Sequence, residues 1–301
     1  MLIKKAGRRG SSVSWSRRLV PYLFVAPNLA IFLTFIIWPA IRGFWISFFD
    51  SNDGVHFKYV GNANFKEILH DPTISQVARN TITYVVFYVL LAITISIALA
   101  LVVNEQKFAK SFFRAILFMP VMLSPVVVGL IWSDIVDRKH GPLNAAIKML
   151  GGGSPGWLVD TNLGMVTVVF VGLWVHVGFY SIILLAGLQG IDRSVLEAAS
   201  IDGASRMQTI RQIILPLLKP TTLVIVILAT IHGFQSFDFI YTLTGGGPLG
   251  ATTLIVQYIY ERAFGVPIRY GLGSAAGVIL FLVIFAFTAM NFIAGRRRNA
   301  V

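Results

Sequence analysis

The chain has 301 residues, 56% of them hydrophobic and only 13% charged, with a formal net charge of +12 and no cysteine. A soluble domain carries about 25% charged residues, so this composition belongs to the membrane class. The lack of cysteine excludes disulfide scaffolds, Cys-ligated zinc, iron–sulfur clusters and thiol catalysis.

Six apolar runs are long enough to cross a bilayer, which takes roughly 20 residues. The first follows a basic segment, 1–18, that carries Lys4, Lys5, Arg8, Arg9, Arg17 and Arg18. The run from Leu19 to Ile41 is too long for a signal peptide, and no clear small-residue cleavage site follows it, so it reads as a first span at 19–42. The others lie near 80–103, 115–133, 164–187, 220–239 and 273–295. Pro120 and Pro125 should kink the third. The expected organisation is an all-α membrane domain over 19–295, with a loop at 188–219 and a basic C-terminal segment, 296–301. Lys and Arg number 16 on the side of the two termini and nine on the other. Basic residues collect in cytoplasmic loops, which puts both termini and the 188–219 loop in the cytoplasm. The positive charge is therefore topology information and does not point to a nucleic-acid partner.

Between the first two spans, "VGNANFKEIL" predicts a short helix with Phe65, Ile68 and Leu69 on one face. Such a helix either lies on the surface or docks an external partner. The loop at 188–219 predicts more. Ser194 with Glu197, and Ser205 with Gln208, are capping-box pairs that mark two helix starts. Between them Asp202-Gly203 ends a helix of about nine residues, a rod of roughly 13 Å. Ala198, Ala199 and Ala204 keep that rod narrow. Met207, Ile210, Ile214 and Leu217 fall on one stripe of the second helix, which Pro216 and Pro220 bend into the fifth span. The pair is either an interfacial linker or a projecting knob for a cytoplasmic partner. "TGGGP" at 244–248 predicts a flexible turn and has no Lys-Ser or Lys-Thr after it, so it is not a phosphate-cradling loop. Gly273 and Gly277 permit close helix approach, within the chain or between chains.

"EAASIDGASRMQTIRQIILPLLKP" at 197–220 resembles the E-A-A-x-x-x-G signature of bacterial ABC importer permeases. "LFMPVMLSPVVVGLIW" at 117–132 and "FDFIYTLTGGGPLGATT" at 237–253 resemble the carbohydrate-uptake, maltose-permease-like branch. The resemblance covers the chain from about residue 20. It lacks the extra N-terminal spans and large external insertion of the maltose permease subunit itself. It implies a type I ABC importer permease fold with six transmembrane helices and a cytoplasmic coupling-helix loop, in the bacterial inner membrane. It implies that Glu197, Ala198, Ala199, Asp202, Gly203 and Ala204 meet separate ATPase subunits, which bind the ATP and magnesium. It also implies a second, related permease chain and an extracytoplasmic solute-binding protein. This chain has no G-x-x-x-x-G-K-[ST], holds no cofactor of its own and is not expected to be an enzyme.

Polar groups inside spans are costly, about 2.5–3.5 kcal/mol for a central Asp, and so mark a path or a packing bond. The candidates are His176 and Tyr180 in span four, His232, Gln235, Ser236 and Asp238 in span five, and Ser124 in the kinked span. Gln235 and Asp238, three apart, should share a helix face. With Phe179, Phe234 and Phe237 this mixture suits a sugar, whose hydroxyls need hydrogen bonds and whose C–H faces pack on rings. For each histidine a bond to a neighbouring helix is the competing reading. An ion-coupled carrier would want buried acids at mid-span, where Asp238 near one end is the only candidate. A membrane enzyme would want a catalytic pair or metal cluster, and no such spacing occurs. Glycerol-phosphate-type cargo, carried by close relatives in this branch, stays open.

Overall fold

The computed structural model describes residues 15–106 and 110–299; residues 1–14, most of the basic N-terminal segment, lie outside the described residues. The first helix, α1 (Trp15–Phe32), passes through a π-helical turn at Leu33–Ile37 into α2 (Trp38–Ile46). The turn ends two residues before Pro39. A proline has no N–H to give the carbonyl four residues back and its ring crowds that carbonyl, so a wider turn relieves the clash.

A two-stranded hairpin follows, β1 (Phe49–Asp50) antiparallel to β2 (Lys58–Tyr59), and then α3 (Ala63–His70). The expected face of α3 is only partly right. Ile68 is buried against Val77, Tyr258 and Leu272, and Phe65 packs beside it, but Leu69 is 74% exposed. Asn64, one turn before Ile68, takes the inner position and donates to the carbonyls of Ser47 and Phe49, both at 2.9 Å.

The long α4 (Ile74–Glu105) is followed by α5 (Lys110–Met122) and α6 (Pro125–Ile135), which meet at 98°. The expected kink is thus a full break. Ser124 is extended and Pro125 opens the new helix, where its missing N–H costs nothing. After α7 (Pro142–Met149) comes α8 (Thr161–Gln189), capped by the Asp160 carboxylate, which accepts from the amides of Asn162 and Leu163. Two thirds of the most apolar stretch of α8 is buried, whereas none of that of α1–α2 is. A helix apolar all round belongs at the centre of a bundle, and α8 packs on α4, α5, α12 (Lys219–Gln235) and α13 (Asp238–Thr244). The contact with α5 is close enough that a Cβ at Gly178 would collide with the Leu117 carbonyl.

Between α8 and α12 lie α9 (Arg193–Ile201), α10 (Arg206–Gln208), a second π-helical stretch at Thr209–Ile214, and α11 (Leu215–Leu217). The π stretch again ends two residues before a proline, Pro216. It changes the period of the helix, so the expected stripe does not persist: Met207 and Leu217 are half exposed and Leu218 is the buried residue. The stretch 206–217 meets α12 at 67°.

The chain closes with α14 (Ile255–Phe264) and α15 (Tyr270–Asn299). Gly273 is a contact within the chain, since a Cβ there would stand 2.7 Å from that of Ala263, while Gly277 faces open space. The "TGGGP" turn is tied down. Gln257 donates to the Gly245 carbonyl at 3.0 Å, and Thr252, fully buried, bonds Thr244 at 2.7 Å and the Gly247 carbonyl at 2.8 Å. α14 is also held to the turn between α3 and α4. Tyr258 and Arg262 donate to Asp71 at 2.8 and 2.6 Å. Burial alone would raise the Asp71 carboxyl, but bonds from Thr73 and Tyr258 and the charge of Arg262 outweigh it and hold it at about 2.

Four stretches, 20–46, 74–105, 161–189 and 270–293, are long and apolar enough to cross a bilayer. The bent pairs 111–135 and 206–235 raise the number to six if each counts as one span.

Candidate functional site

Two separate polar regions emerge. The first is the α9–α10 loop. The Asp192 side chain, not Ser194, caps α9, accepting from the Ser194 amide at 2.9 Å. A carboxylate at the positive end of a helix outcompetes a hydroxyl two residues later. The amide and hydroxyl of Ser194 in turn hold the Asp192 carboxyl below its usual range. At the other end Gly203 takes φ +75° and donates to the Ser200 carbonyl at 3.2 Å. The Ala204 amide reaches back to Ala199 at 3.0 Å. This double bond pattern closes the helix and forces a left-handed residue, which only Gly adopts without strain. The second capping box is present as expected, with Ser205 and Gln208 each bonding the other's amide.

Within this unit Glu197, Ala198, Asp202 and Gly203 are exposed, Ala204 is half-buried, and Ala199 is turned inward. Ile201 is 87% exposed at the tip and Val195 lies two turns before it, an apolar stripe missed in the sequence. The i, i+3, i+6 spacing of Val195, Ala198 and Ile201 is the signal that could have found it. Arg206 joins the unit to the end of α4, its guanidinium 2.5 Å from each carboxylate oxygen of Glu105.

The second region lies among α4, α8 and α12. His176 and His232 have ring centroids 5.0 Å apart. Tyr180 bonds His232 Nδ1 at 2.8 Å and the Tyr88 hydroxyl at 3.1 Å. Ser236 donates to the His232 carbonyl at 2.8 Å and meets the Tyr84 hydroxyl at 3.1 Å. Tyr84, Tyr88 and Tyr180 are fully buried. Sequence reasoning missed Tyr84 and Tyr88. Two tyrosines four apart inside an apolar run place two polar tips on one face of a span, and that was the available signal.

The remaining candidates fall elsewhere. Gln235 and Asp238 do not share a helix face, because α12 ends at Gln235 and α13 begins at Asp238. At the break Ser236 is extended, with φ −62° and ψ 124°, and Phe237 adopts φ −150°, ψ −60°, outside the helical region, while the Ser236 hydroxyl bonds the His232 carbonyl. Both Gln235 and Asp238 are exposed. Phe179 packs on Phe118 and Tyr180. Ser124 is exposed at the α5–α6 break, which sits near the other one: Thr242 of α13 bonds the Val126 carbonyl at 3.2 Å, and Gly129 of α6 has no room for a Cβ against Thr242. A groove of about 1170 Å³ runs along α4 and α8, with Arg79, Asn80 and Asn162 at one end and Phe87, Leu91 and Phe170 beyond, and includes none of the candidates. Among the described residues no group of three His, Cys, Asp or Glu could hold a metal.

The family of binding-protein-dependent transport system inner membrane components matches residues 92–299. The chain belongs to this family. The match starts within α4 and takes in the α9 loop, Tyr180 and His232 of this permease, and leaves Tyr84 and Tyr88 just ahead of it. The sn-glycerol-3-phosphate transport system permease protein UgpA of Agrobacterium fabrum is 32% identical over 285 residues, 93% of this chain and 96% of that protein. The trehalose/maltose transport system permease protein MalF of Thermococcus litoralis is 32% identical over 292 residues, 96% and 98%. The permease also shares its fold with a chain of a bacterial alginate ABC transporter, solved in complex with an alginate pentasaccharide-bound periplasmic protein. The TM-score is 0.82 at 24% identity, over 94% and 96% of the two chains.

Proposed function

We propose that this permease imports an uncharged carbohydrate, driven by ATP that separate subunits hydrolyse. The observation that carries the coupling half is α9, a short helix with both ends capped, exposed, with the E-A-A-x-x-x-G residues on it. Glu197, Ala198, Ala199, Asp202, Gly203 and Ala204 form the contact for an ATPase subunit, which binds ATP and Mg. The excess of Lys and Arg favours a cytoplasmic side for this loop and both termini, in six spans with each bent pair counted as one. A second permease chain and an extracytoplasmic binding protein complete the importer, in keeping with the family's dependence on such a protein. Alternating access follows if closure of the ATPases moves α9 and α12 together.

For cargo, Gln235, Asp238 and Ser124 are the exposed groups at the two helix breaks, and they line the path. His176, Phe179, Tyr180, His232 and Ser236 form the wall behind them. Relatives named for trehalose/maltose and for sn-glycerol-3-phosphate are equally similar, so identity does not choose between cargoes. The exposed Asp238 does, since a carboxylate repels a phosphate and accepts from sugar hydroxyls.

The test is reconstitution with the cognate ATPase, second permease and binding protein in liposomes. Uptake of maltose or trehalose that requires ATP and persists without ion gradients is expected. Uptake of sn-glycerol 3-phosphate with no uptake of neutral sugars would overturn the cargo, and gradient-driven uptake without ATP would overturn the mechanism.

A further inference from the structure

Beside the exposed pair Gln235 and Asp238, four aromatic rings line up, one from the break and three from α13 and α14. Phe237 lies 5.1 Å from Tyr260 and 5.3 Å from Tyr241, centroid to centroid. Tyr241 and Tyr260 are 5.5 Å apart, and Phe264 follows Tyr260 at 5.4 Å. The row starts at the break in span five and ends at the C-terminus of α14. Its members are not sealed in the core: Tyr241 is 42%, Tyr260 38% and Phe264 62% exposed.

The tyrosine hydroxyls separate this row from the buried cluster. Tyr84, Tyr88, Tyr180 and Tyr258 all spend theirs on protein partners. Among the described residues neither Tyr241 nor Tyr260 has a hydrogen-bond partner for its hydroxyl. Asp238 and Glu261, next in sequence to Phe237 and Tyr260, are exposed, Glu261 accepting from the Gln257 side chain through one oxygen and keeping the other, and Arg262, on the same helix as Tyr260, is turned into Asp71. The surface therefore offers aromatic faces, free hydroxyls and acceptors, and the one cation of α14, Arg262, is engaged by Asp71.

We propose that Phe237, Tyr241, Tyr260 and Phe264 form a stacking ramp for uncharged oligosaccharide, leading from the α14–α15 loop to the break at Ser236–Phe237. It rests on the carbohydrate reading above and adds residues which that reading did not assign. The C–H faces of pyranose rings lie on the aromatic faces, hydroxyls donate to Asp238 and Glu261 and meet the tyrosine hydroxyls, and one sugar ring can pass to the next aromatic ring without leaving the surface. An anionic sugar or a phosphorylated polyol would face two carboxylates there.

The experiment is initial uptake by the reconstituted complex at saturating loaded binding protein, with maltose, trehalose and a longer maltooligosaccharide as probes. Tyr260→Ala should slow uptake by about two- to tenfold, the scale of one aromatic contact, and the longest sugar should lose most. Tyr260→Phe should keep most of the rate, which separates stacking from misfolding. Equal losses for Phe and Ala at 260 would overturn stacking. So would an unchanged rate in the triple variant Tyr241→Ala, Tyr260→Ala, Phe264→Ala, leaving the carbohydrate reading intact. If Tyr260→Ala releases the second permease chain from the purified complex, the row is a subunit contact and the proposal falls. If the unaltered complex takes up none of these sugars, the carbohydrate reading falls and takes the ramp with it.

Discussion

In the α9–α10 loop the capping bonds join residues two to five apart: Ser194 to Asp192, Gln208 to Ser205, Ala204 to Ala199. In the tyrosine–histidine cluster they join residues 52, 92 and 152 apart. The loop is exposed, whereas the tyrosines of the cluster are fully buried and its histidines half-buried. The loop can hold its shape while pressed by another protein, since its geometry depends on its own residues. The cluster exists only when α4, α8 and α12 are assembled, and it fixes how those helices sit together. A substitution should therefore cost stability in the second region and coupling in the first.

The largest effect expected is at Tyr180. Replacing this fully buried side chain by Ala removes a core aromatic and strips partners from His232 and Tyr88, at a cost of about 3–5 kcal/mol. Tyr180→Phe leaves the packing but orphans the same groups, for about 1–3 kcal/mol. Thermal unfolding of the purified complex in detergent measures both. An unaltered transition in Tyr180→Ala would mean that the cluster does not hold the bundle.

At Gly203 the effect should be smaller in stability and larger in function. A Cβ there meets open space, so Val is not blocked by a neighbour, but φ +75° strains it by about 1–2 kcal/mol. Gly203→Val should assemble with its partners and lose ATPase stimulation by loaded binding protein. Normal stimulation in a well-assembled complex would remove the loop from the coupling path and leave the two regions alike.

The smallest effect is at the ion pair that, among the described residues, joins the loop to α4. Arg206 and Glu105 are largely exposed, which limits the pair to about 0–1 kcal/mol. Arg206→Glu should lower stimulated ATPase modestly, and adding Glu105→Arg should restore it. Failure of the double variant to recover would show that the loop stands without α4, which sharpens the contrast to purely local bonding.

The sequence by itself determined what depends on neighbours along the chain. Apolar run length located the stretches long and apolar enough to cross a bilayer, Ser205 with Gln208 marked a helix start, and Gly203 marked the left-handed turn, because caps and dihedral preferences act within a few residues. Prolines foretold interruptions at 120–125 and 216–220. Even locally, a stronger competitor was overlooked where Asp192 displaced Ser194. Only the tertiary structure decided the 98° break, the pairing of Tyr180 with Tyr88 and His232, and the split between Gln235 and Asp238. Each of these is set by which groups from distant helices arrive at one place. Phe237, which meets Tyr260 of a distant helix, stands at a break where periodicity alone would continue the helix.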